Sequence, residues 1–290
     1  MQIIDSIISA NEFATLPTVP SKLLEMLNTD EIYLKDISNI IEMDPSLTLK
    51  LLRVANSSLY ATSGRISSIQ QAIMIMGFSK LTNIVLGVSI FSKFWLSSQP
   101  SAYPMMEKFW LHSSSTGTIA RSVSAKIGAH YKEHEFIGGL LHQIGKLALM
   151  QYDFGKFSKV IEEIETNKLT DEEAEKKIFG VSHLEVGERI ATLWRLPEEL
   201  ITIIANYPHP SKLTEHRELV AAVSFAGVLS EINGADFYKG LQNEIVLTEQ
   251  ESWLVLCQSF AELQDMGVEL FTSDVENELK KASQFLAAIK

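Results

Sequence analysis

Four of the seven histidines lie in positions that predict burial, and imidazole is the side chain here best suited to chemistry. They are His112, His142, His183 and His209. Neutral imidazoles bind zinc, copper, nickel or iron in preference to magnesium, so four on neighbouring helices would suit a transition metal. The competing interpretation is that each one is a hydrogen-bonded residue of the core. The other three are predicted to face solvent: His130, His134 and His216.

The elements that must position these histidines are helices. Apolar residues recur mainly at three- and four-residue spacing, and no segment alternates as a strand would. Asp44 before Pro45 predicts a capped helix start, and Thr170 with Glu173 predicts a capping box. The spacing predicts helices over 107–127, over 136–149 and over 272–289. The fold class predicted is therefore all-α.

Composition excludes several classes of function. The 290 residues carry a net charge of −11 with no lysine- or arginine-rich block, which argues against binding to nucleic acid. No uncharged stretch is long enough to cross a membrane, and residues 1–15 lack the basic start of a secretory signal. The single cysteine, Cys257, cannot form an intrachain disulfide. We therefore expect a cytoplasmic protein.

Breaker residues suggest how the chain is divided. They cluster at Gln99–Pro104, at Tyr207–Pro210 and more weakly at Asn233–Gly240. The first cluster predicts a boundary between two helical lobes, residues 1–98 and residues 99–290. The aromatic residues on either side of that boundary are predicted to form the core between the lobes: Phe91, Phe94, Trp95, Phe109 and Trp110.

Several other polar groups have ordinary structural interpretations. Gly145 and Lys146 lack the upstream glycine of a phosphate-binding loop, so Lys146 is predicted to lie on a helix surface. The acidic stretch between residues 162 and 175 is predicted to form a solvated helix pair. The hydroxyls of Ser113–Thr116 lack the flanking glycines of a nucleophile elbow and are predicted to bond within the helix or pack.

Short motifs in a fixed order resemble one known family. They are Leu16–Pro20, Asp44–Thr48, Leu51–Ser57, Ser68–Ile73, Gly139–Lys146, His183, Glu185, Gly187, Trp194 and Leu196–Pro197. Together they make residues 14–210 similar to the HDOD domain, a signalling-associated branch of the HD superfamily of metal-dependent phosphohydrolases. The resemblance implies a two-lobed helical bundle in which residues 99–290 form the HD-like lobe.

The resemblance also implies roles for the histidines. His112 matches the first histidine of the superfamily pattern, and His142 matches the histidine of its His-Asp doublet. His183 and His209 match the further histidines of binuclear members. The doublet aspartate is replaced by Gln143, and Gly227 stands where the distal aspartate is expected. These two carboxylates would anchor hard divalent ions, and neither replacement carries charge.

The missing carboxylates argue against turnover. We therefore expect a non-catalytic regulatory module of bacterial signal transduction, a degenerate phosphohydrolase that binds other signalling proteins and leaves self-association open. No cofactor is expected, although a zinc, iron, nickel or manganese ion on the four histidines is left open. Two alternatives remain: a phosphohydrolase with unconventional ligands, and a nucleotide-sensing module that uses the vestigial active-site cleft.

Overall fold

The structure is a computed structural model that describes residues 2–10, 13–26, 33–60, 64–96, 102–238 and 245–290. Within those ranges the chain is helical and contains no strand, which confirms the all-α prediction. No helix in the same ranges combines the length and the apolar character needed to cross a bilayer. The lobe boundary predicted at Gln99–Pro104 begins outside the described residues, which resume at Ala102.

The described residues before Ala102 form six helices. They are α1 (Gln2–Ala10), α2 (Thr18–Met26), α3 (Leu34–Glu42), α4 (Pro45–Ala55), α5 (Ile69–Met76) and α6 (Phe78–Leu96). Helices α2 to α6 pack against one another, whereas α1 packs against two helices of the later part of the chain. The first helix therefore ties the beginning of the chain to the segment that carries the histidines.

The later part of the chain forms the helices that carry the candidate site. They are α7 (Tyr103–Lys126), α8 (His134–Leu141), α9 (Ile144–Tyr152), α10 (Phe154–Asn167), α11 (Asp171–Phe179), α12 (His183–Leu193), α13 (Glu198–Asn206), α14 (Arg217–Ile232), α15 (Glu251–Ser259), α16 (Glu262–Met266), α17 (Glu269–Thr272) and α18 (Val275–Ile289), with short 3-10 helices at Pro210–Lys212 and Leu247–Glu249. Helix α7 is central, because α8, α14 and α18 all pack against it.

The helix starts follow local chemistry that the sequence predicts. The Asp44 side chain accepts a hydrogen bond from the amide of Leu47, with Pro45 at the first helical position. Thr170 and Glu173 form a capping box at the start of α11. Each cap satisfies an amide that the helix itself leaves unpaired. These starts fix where α4 and α11 begin.

Two predicted helices differ from those observed. The helix predicted over 136–149 is two helices, because Gln143 leaves helical geometry and the amide of Lys146 bonds to its carbonyl. The break turns Gly145 onto α12, where a Cβ would lie 1.9 Å from the His183 carbonyl oxygen. The prediction over 272–289 also spans a break, between α17 and α18. Helix α7 runs from Tyr103 to Lys126, somewhat earlier than predicted.

Aromatic packing joins the two parts of the chain, as predicted. Phe91 stacks on Trp95 and meets Trp110 edge-on, with ring centroids 5.0 Å apart in the second pair. Phe13 stacks on Phe94, and the Trp194 indole N–H donates to the Phe13 carbonyl. Since such rings bury large apolar areas, these contacts hold the early helices against α7 and α12.

Candidate functional site

The cleft forms where α7, the α8–α9 break and the start of α12 meet. His112 comes from α7, His142 from the break and His183 from the first position of α12. The ring centroids of His112 and His142 lie 5.3 Å apart. Tyr207, at the end of α13, lies against both His142 and His183, with centroids at 4.6 and 5.7 Å. Tyr207 therefore lies between His142 and His183, and His112 joins this group through His142.

His112 and His142 share one hydrogen-bonding arrangement. The Nδ1 atom of His112 lies 3.0 Å from the Ala235 carbonyl oxygen, and that of His142 lies 2.7 Å from the Gly139 carbonyl oxygen. Since a carbonyl only accepts, each Nδ1 carries the proton and each Nε2 keeps its lone pair. Burial lowers the pKa of His112 to about 4. Burial, and then the neighbouring His112, hold the pKa of His142 well below its usual range.

His183 is committed to protein partners at both ring nitrogens. The Glu175 Oε2 atom accepts from the His183 amide at 2.7 Å and lies 2.6 Å from Nδ1. The Tyr207 hydroxyl lies 2.9 Å from Nε2. Glu175 is fully buried, so it is not part of the solvated helix pair predicted for the acidic stretch. Its partner, His183, lies on the next helix, α12, so the acidic pattern of α11 alone does not predict that Glu175 is buried.

His209 does not join the other three. It lies just before the 3-10 helix at Pro210–Lys212, where its Nε2 is 2.9 Å from Glu172 Oε1, and 38% of its side chain is exposed. Of the histidines predicted to face solvent, His130 is exposed, whereas His134 and His216 are half-buried.

Lys146 occupies the cleft as a buried cation, so its prediction as a surface residue is wrong. Its side chain is 2% exposed because α9 is buried from Ile144 to Met150 and offers no solvent face there. Its Nζ lies 2.5 Å from Asp171 Oδ2 and donates to the Tyr238 hydroxyl at 3.0 Å. The Tyr238 hydroxyl in turn donates to Asp171 Oδ1 at 2.6 Å.

The charges of this pair stabilise each other. Burial disfavours the ammonium of Lys146, but Asp171 together with Tyr207, Tyr238 and Glu175 raises the lysine pKa well above its usual value. Burial likewise opposes ionisation of Asp171, but Lys146 and His183, with the hydrogen bonds from Lys146 and Tyr238, together lower the carboxyl pKa. Both groups are therefore charged across the physiological range.

Beside Lys146 lies a cavity of about 220 Å³. Its described lining consists of Gln143, Lys146, Ile164, Leu169, Thr170, Asp171, Glu231, Asp236, Phe237, Tyr238 and Ile245. Gln143 is 3% exposed, and its Oε1 has no hydrogen-bond partner among the described residues. Burial raises the pKa of Glu231 to about 7. The cleft is thus lined by three carboxylates, those of Asp171, Glu231 and Asp236, that the resemblance to the HD superfamily does not identify as site residues.

Gly227 lies against the first helix of the site and not in the cavity lining. A Cβ at this position would meet only the Thr116 methyl group, at 3.9 Å, so the helix contact does not demand glycine. Glu231 lies four residues further along α14, on the same helix face, and does line the cavity. That one-turn spacing from Gly227 is the signal in the sequence that could have identified Glu231.

The four predicted histidines do not form a group of possible metal ligands in the described part of the chain. Across the described ranges, the one group of three histidine, cysteine or carboxylate side chains with ligand atoms within 4.8 Å of one another is Glu198, Glu215 and His216. It contains none of the four predicted histidines. A buried ammonium lies in the cleft instead, and Asp171, the carboxylate nearest to it, is its counter-ion.

Comparison with known proteins agrees with this architecture. A model of the HDOD domain family matches residues 13–210, more than half of the chain. A crystal structure of an HDOD domain protein of unknown function from Geobacter sulfurreducens superposes with a TM-score of 0.78 at 24% identity, covering 93% of this chain and 92% of that one. A protein from Shewanella amazonensis SB2B, provisionally assigned as a phosphohydrolase, superposes with a TM-score of 0.73 at 19% identity, covering 98% of each chain.

The curated relatives are longer than this chain. An uncharacterised protein from Treponema pallidum (strain Nichols) is 27% identical over 235 residues, which are 76% of this chain and 43% of that protein. The uncharacterised protein YuxH from Bacillus subtilis (strain 168) is 37% identical over 75 residues, 26% of this chain and 18% of that one. The chain thus matches less than half the length of either relative.

Proposed function

Because the chain belongs to the HDOD domain family, we propose that it is a regulatory module of bacterial signal transduction that acts by binding other signalling proteins, without hydrolysing phosphoesters. The observation that carries the proposal is the buried Lys146–Asp171 ion pair. An ammonium has no open coordination position and cannot lower the pKa of a bound water as a metal ion does. The cation of this cleft therefore offers charge without a nucleophile.

The neighbouring groups do not supply a nucleophile either. His112 and His142 are neutral and buried, and their Nδ1 atoms bond to backbone carbonyls and not to the orienting carboxylate that activates a catalytic base. Burial raises the pKa of Tyr207, so its hydroxyl keeps its proton near neutral pH. The Tyr207 hydroxyl is also held between His183 and Gln143. This arrangement suits a fixed scaffold.

The early helices offer the better surface for a protein partner. Helices α3, α4 and α5 pack together, and each exposes large apolar side chains, including Leu34, Leu49 and Met74. An adjacent groove is lined by Leu49, Arg53 and Arg65. Neither arginine has an ion-pair partner in the described part of the chain. Exposed apolar residues beside two arginines suit a partner with an acidic, partly apolar surface.

Turnover is tested directly with the purified protein. Phosphomonoesters, cyclic dinucleotides and nucleoside triphosphates are incubated with the wild-type chain and Mn²⁺, Fe²⁺, Ni²⁺ or Zn²⁺. The proposal predicts no hydrolysis above that of His142→Ala, which serves as the blank. Hydrolysis by the wild type that His142→Ala abolishes would show that the module is an enzyme.

Partner binding is tested with a matched pair of surface variants. Response regulators and nucleotide-signalling proteins of the same cell are captured on the immobilised chain, identified, purified and titrated. We expect Leu49→Glu to weaken the binding of such a partner at least tenfold, whereas Leu254→Glu, at an exposed leucine of α15, leaves it unchanged. Binding that survives Leu49→Glu and fails with Leu254→Glu would place the partner elsewhere and contradict the surface assignment.

A further inference from the structure

The cavity beside Lys146 presents more hydrogen-bond acceptors than donors. Two of the three N–H donors of Lys146 are already bound by Asp171 and Tyr238. Gln143 directs its Nε2 at the Tyr207 hydroxyl, 3.4 Å away, which leaves the buried Oε1 without a partner. That oxygen is closed off from solvent, so the acceptors that a ligand can reach in this cavity are the carboxylates of its lining.

The charge of the cavity is also negative. Three carboxylates line it, and only Asp171 is neutralised by the single lysine. Glu231 and Asp236 are half-buried and have no ion-pair partner in the part of the chain that the structure describes. Burial raises the pKa of Glu231 to about 7, so a cation placed beside this carboxyl would favour its ionised form. A phosphate or a nucleotide would instead be repelled.

The remaining walls of the cavity are apolar, which favours an organic cation over a metal ion as its ligand. Leu169, Phe237 and Ile164 contribute carbon surface to the lining. Asp171, Glu231 and Asp236 do not bring three ligand atoms within 4.8 Å of one another, as a coordinated divalent ion would require. A short hydrocarbon chain with a charged, N–H-bearing head matches both kinds of wall.

We propose that this cavity binds a small organic cation, an alkylammonium or alkylguanidinium group, whose N–H donors reach the carboxylates of Glu231 and Asp236. The hydrocarbon part packs against Phe237 and Leu169. This inference goes beyond the proposed function, because it assigns a ligand class to the cleft itself. The ligand class is tested by measuring ligand binding. A negative result there is distinguishable from the results that would contradict the proposed function, which are the detection of hydrolysis and the absence of a protein partner.

The test compares probes of one size and different charge. Thermal unfolding and titration calorimetry are run near neutral pH with n-butylguanidinium and n-butylammonium chloride. The neutral probe n-butanol, the anion n-butyrate and adenosine monophosphate are measured alongside, at matched ionic strength. We expect a concentration-dependent rise in Tm with at least one of the two cations and none with the other three probes.

Variants then locate the binding. Glu231→Gln and Asp236→Asn are each expected to weaken binding of the cation about tenfold. Glu165→Gln, at an exposed position of α10, is the control and should bind as the wild type does. The inference is overturned if neither cation binds, if an anionic probe binds instead, or if both cavity variants bind the cation normally.

Discussion

The two sides of the cleft differ in how their polar groups are matched. On the paired side, Lys146 binds Asp171 and Tyr238, and His183 binds Glu175 and Tyr207. On the open side, Gln143 Oε1 has no partner in the described chain, and Glu231 and Asp236 have no counter-ion there. The difference indicates that internal ion pairs stabilise one half of the cleft, while the polar atoms of the other half lack partners among the described residues.

The largest expected effect comes from breaking the paired side. Lys146→Met leaves Asp171 without its counter-ion, so we expect it to lower the free energy of unfolding by about 3 kcal/mol, the lower part of the usual range since Asp171 is a third exposed. Urea denaturation measures this change. The control is Lys177→Met, which removes the exposed ion pair with Glu163 and should cost under about 1 kcal/mol.

A second variant separates the ion pair from the packing of the lysine chain. In the Lys146→Met background, Asp171→Asn removes the uncompensated charge and should restore a large part of the lost stability. If the double variant is as unstable as the sum of the two single variants, the pair does not act as a unit.

The dependence of folding stability on pH should differ in sign between buried His112 and the carboxyl of Glu231 on the open side. The folded-state pKa of His112 is about 4, below the ordinary 6.5, so the unfolded chain takes up the proton first as pH falls. The stability that neutral His112 contributes is therefore complete above pH 6.5 and is lost towards pH 4, by about 3 kcal/mol. His112→Gln should lose correspondingly less stability over this interval in urea titrations at stepped pH.

The contribution of Glu231 to stability should change with pH in the direction opposite to that of His112. Its folded-state pKa of about 7 lies above the ordinary 4.5, so its contribution is complete below pH 4.5 and is lost as pH rises through 7. Glu231→Gln should therefore be favoured over the wild type at pH 8 more than at pH 5, by about 2 kcal/mol, less than the full shift because the group is half-buried. Equal pH profiles for the two proteins would contradict the burial of this carboxyl.

The next effect concerns the buried glutamate behind His183. Glu175 Oε2 accepts from both the amide and the Nδ1 of His183, so Glu175→Leu should cost about 2 to 3 kcal/mol. The exposed Glu165→Leu on α10 should change stability by under about 1 kcal/mol. Thermal unfolding of the two variants provides the measurement, and equal Tm values would show that the Glu175 bonds contribute little.

The smallest effect is expected on the open side. Gln143→Leu removes a buried acceptor that has no partner, together with one long hydrogen bond to Tyr207, so the free energy of unfolding should change by under about 1 kcal/mol. A loss as large as that of Lys146→Met would mean that Gln143 belongs to the paired side.

Local chemistry explains why much of the fold was predictable. Asp44, Thr170 and Glu173 determine helix starts through bonds to nearby amides, and such bonds depend on three or four neighbouring residues only. The aromatic contacts of Phe91 and Trp110 followed from helical spacing and apolar character. Features set by short stretches of sequence were therefore predicted with the right residues.

The buried charges of the cleft could not be predicted from the sequence, because each depends on a partner that is distant along the chain. Lys146 and Asp171 are 25 residues apart, and a lysine in an apolar helix has the same sequence pattern whether its end reaches water or a buried carboxylate. Glu231 was not predicted because the resemblance places the distal aspartate at Gly227, one helical turn earlier. The sequence left open whether the four histidines come together, and His209 lies outside the cleft, just before the 3-10 helix at Pro210–Lys212.

The central proposal is that the Lys146–Asp171 ion pair, and not a bound metal, supplies the cation of this cleft, and elemental analysis tests it most directly. Both proteins carry His216→Ala, which disables the surface group of Glu198, Glu215 and His216. One is otherwise wild type and the other also carries His142→Ala; both are equilibrated with Mn²⁺, Fe²⁺, Ni²⁺ and Zn²⁺ and then desalted. We expect no stoichiometric metal in either protein. One or two ions per wild-type chain that are lost in His142→Ala would contradict the account.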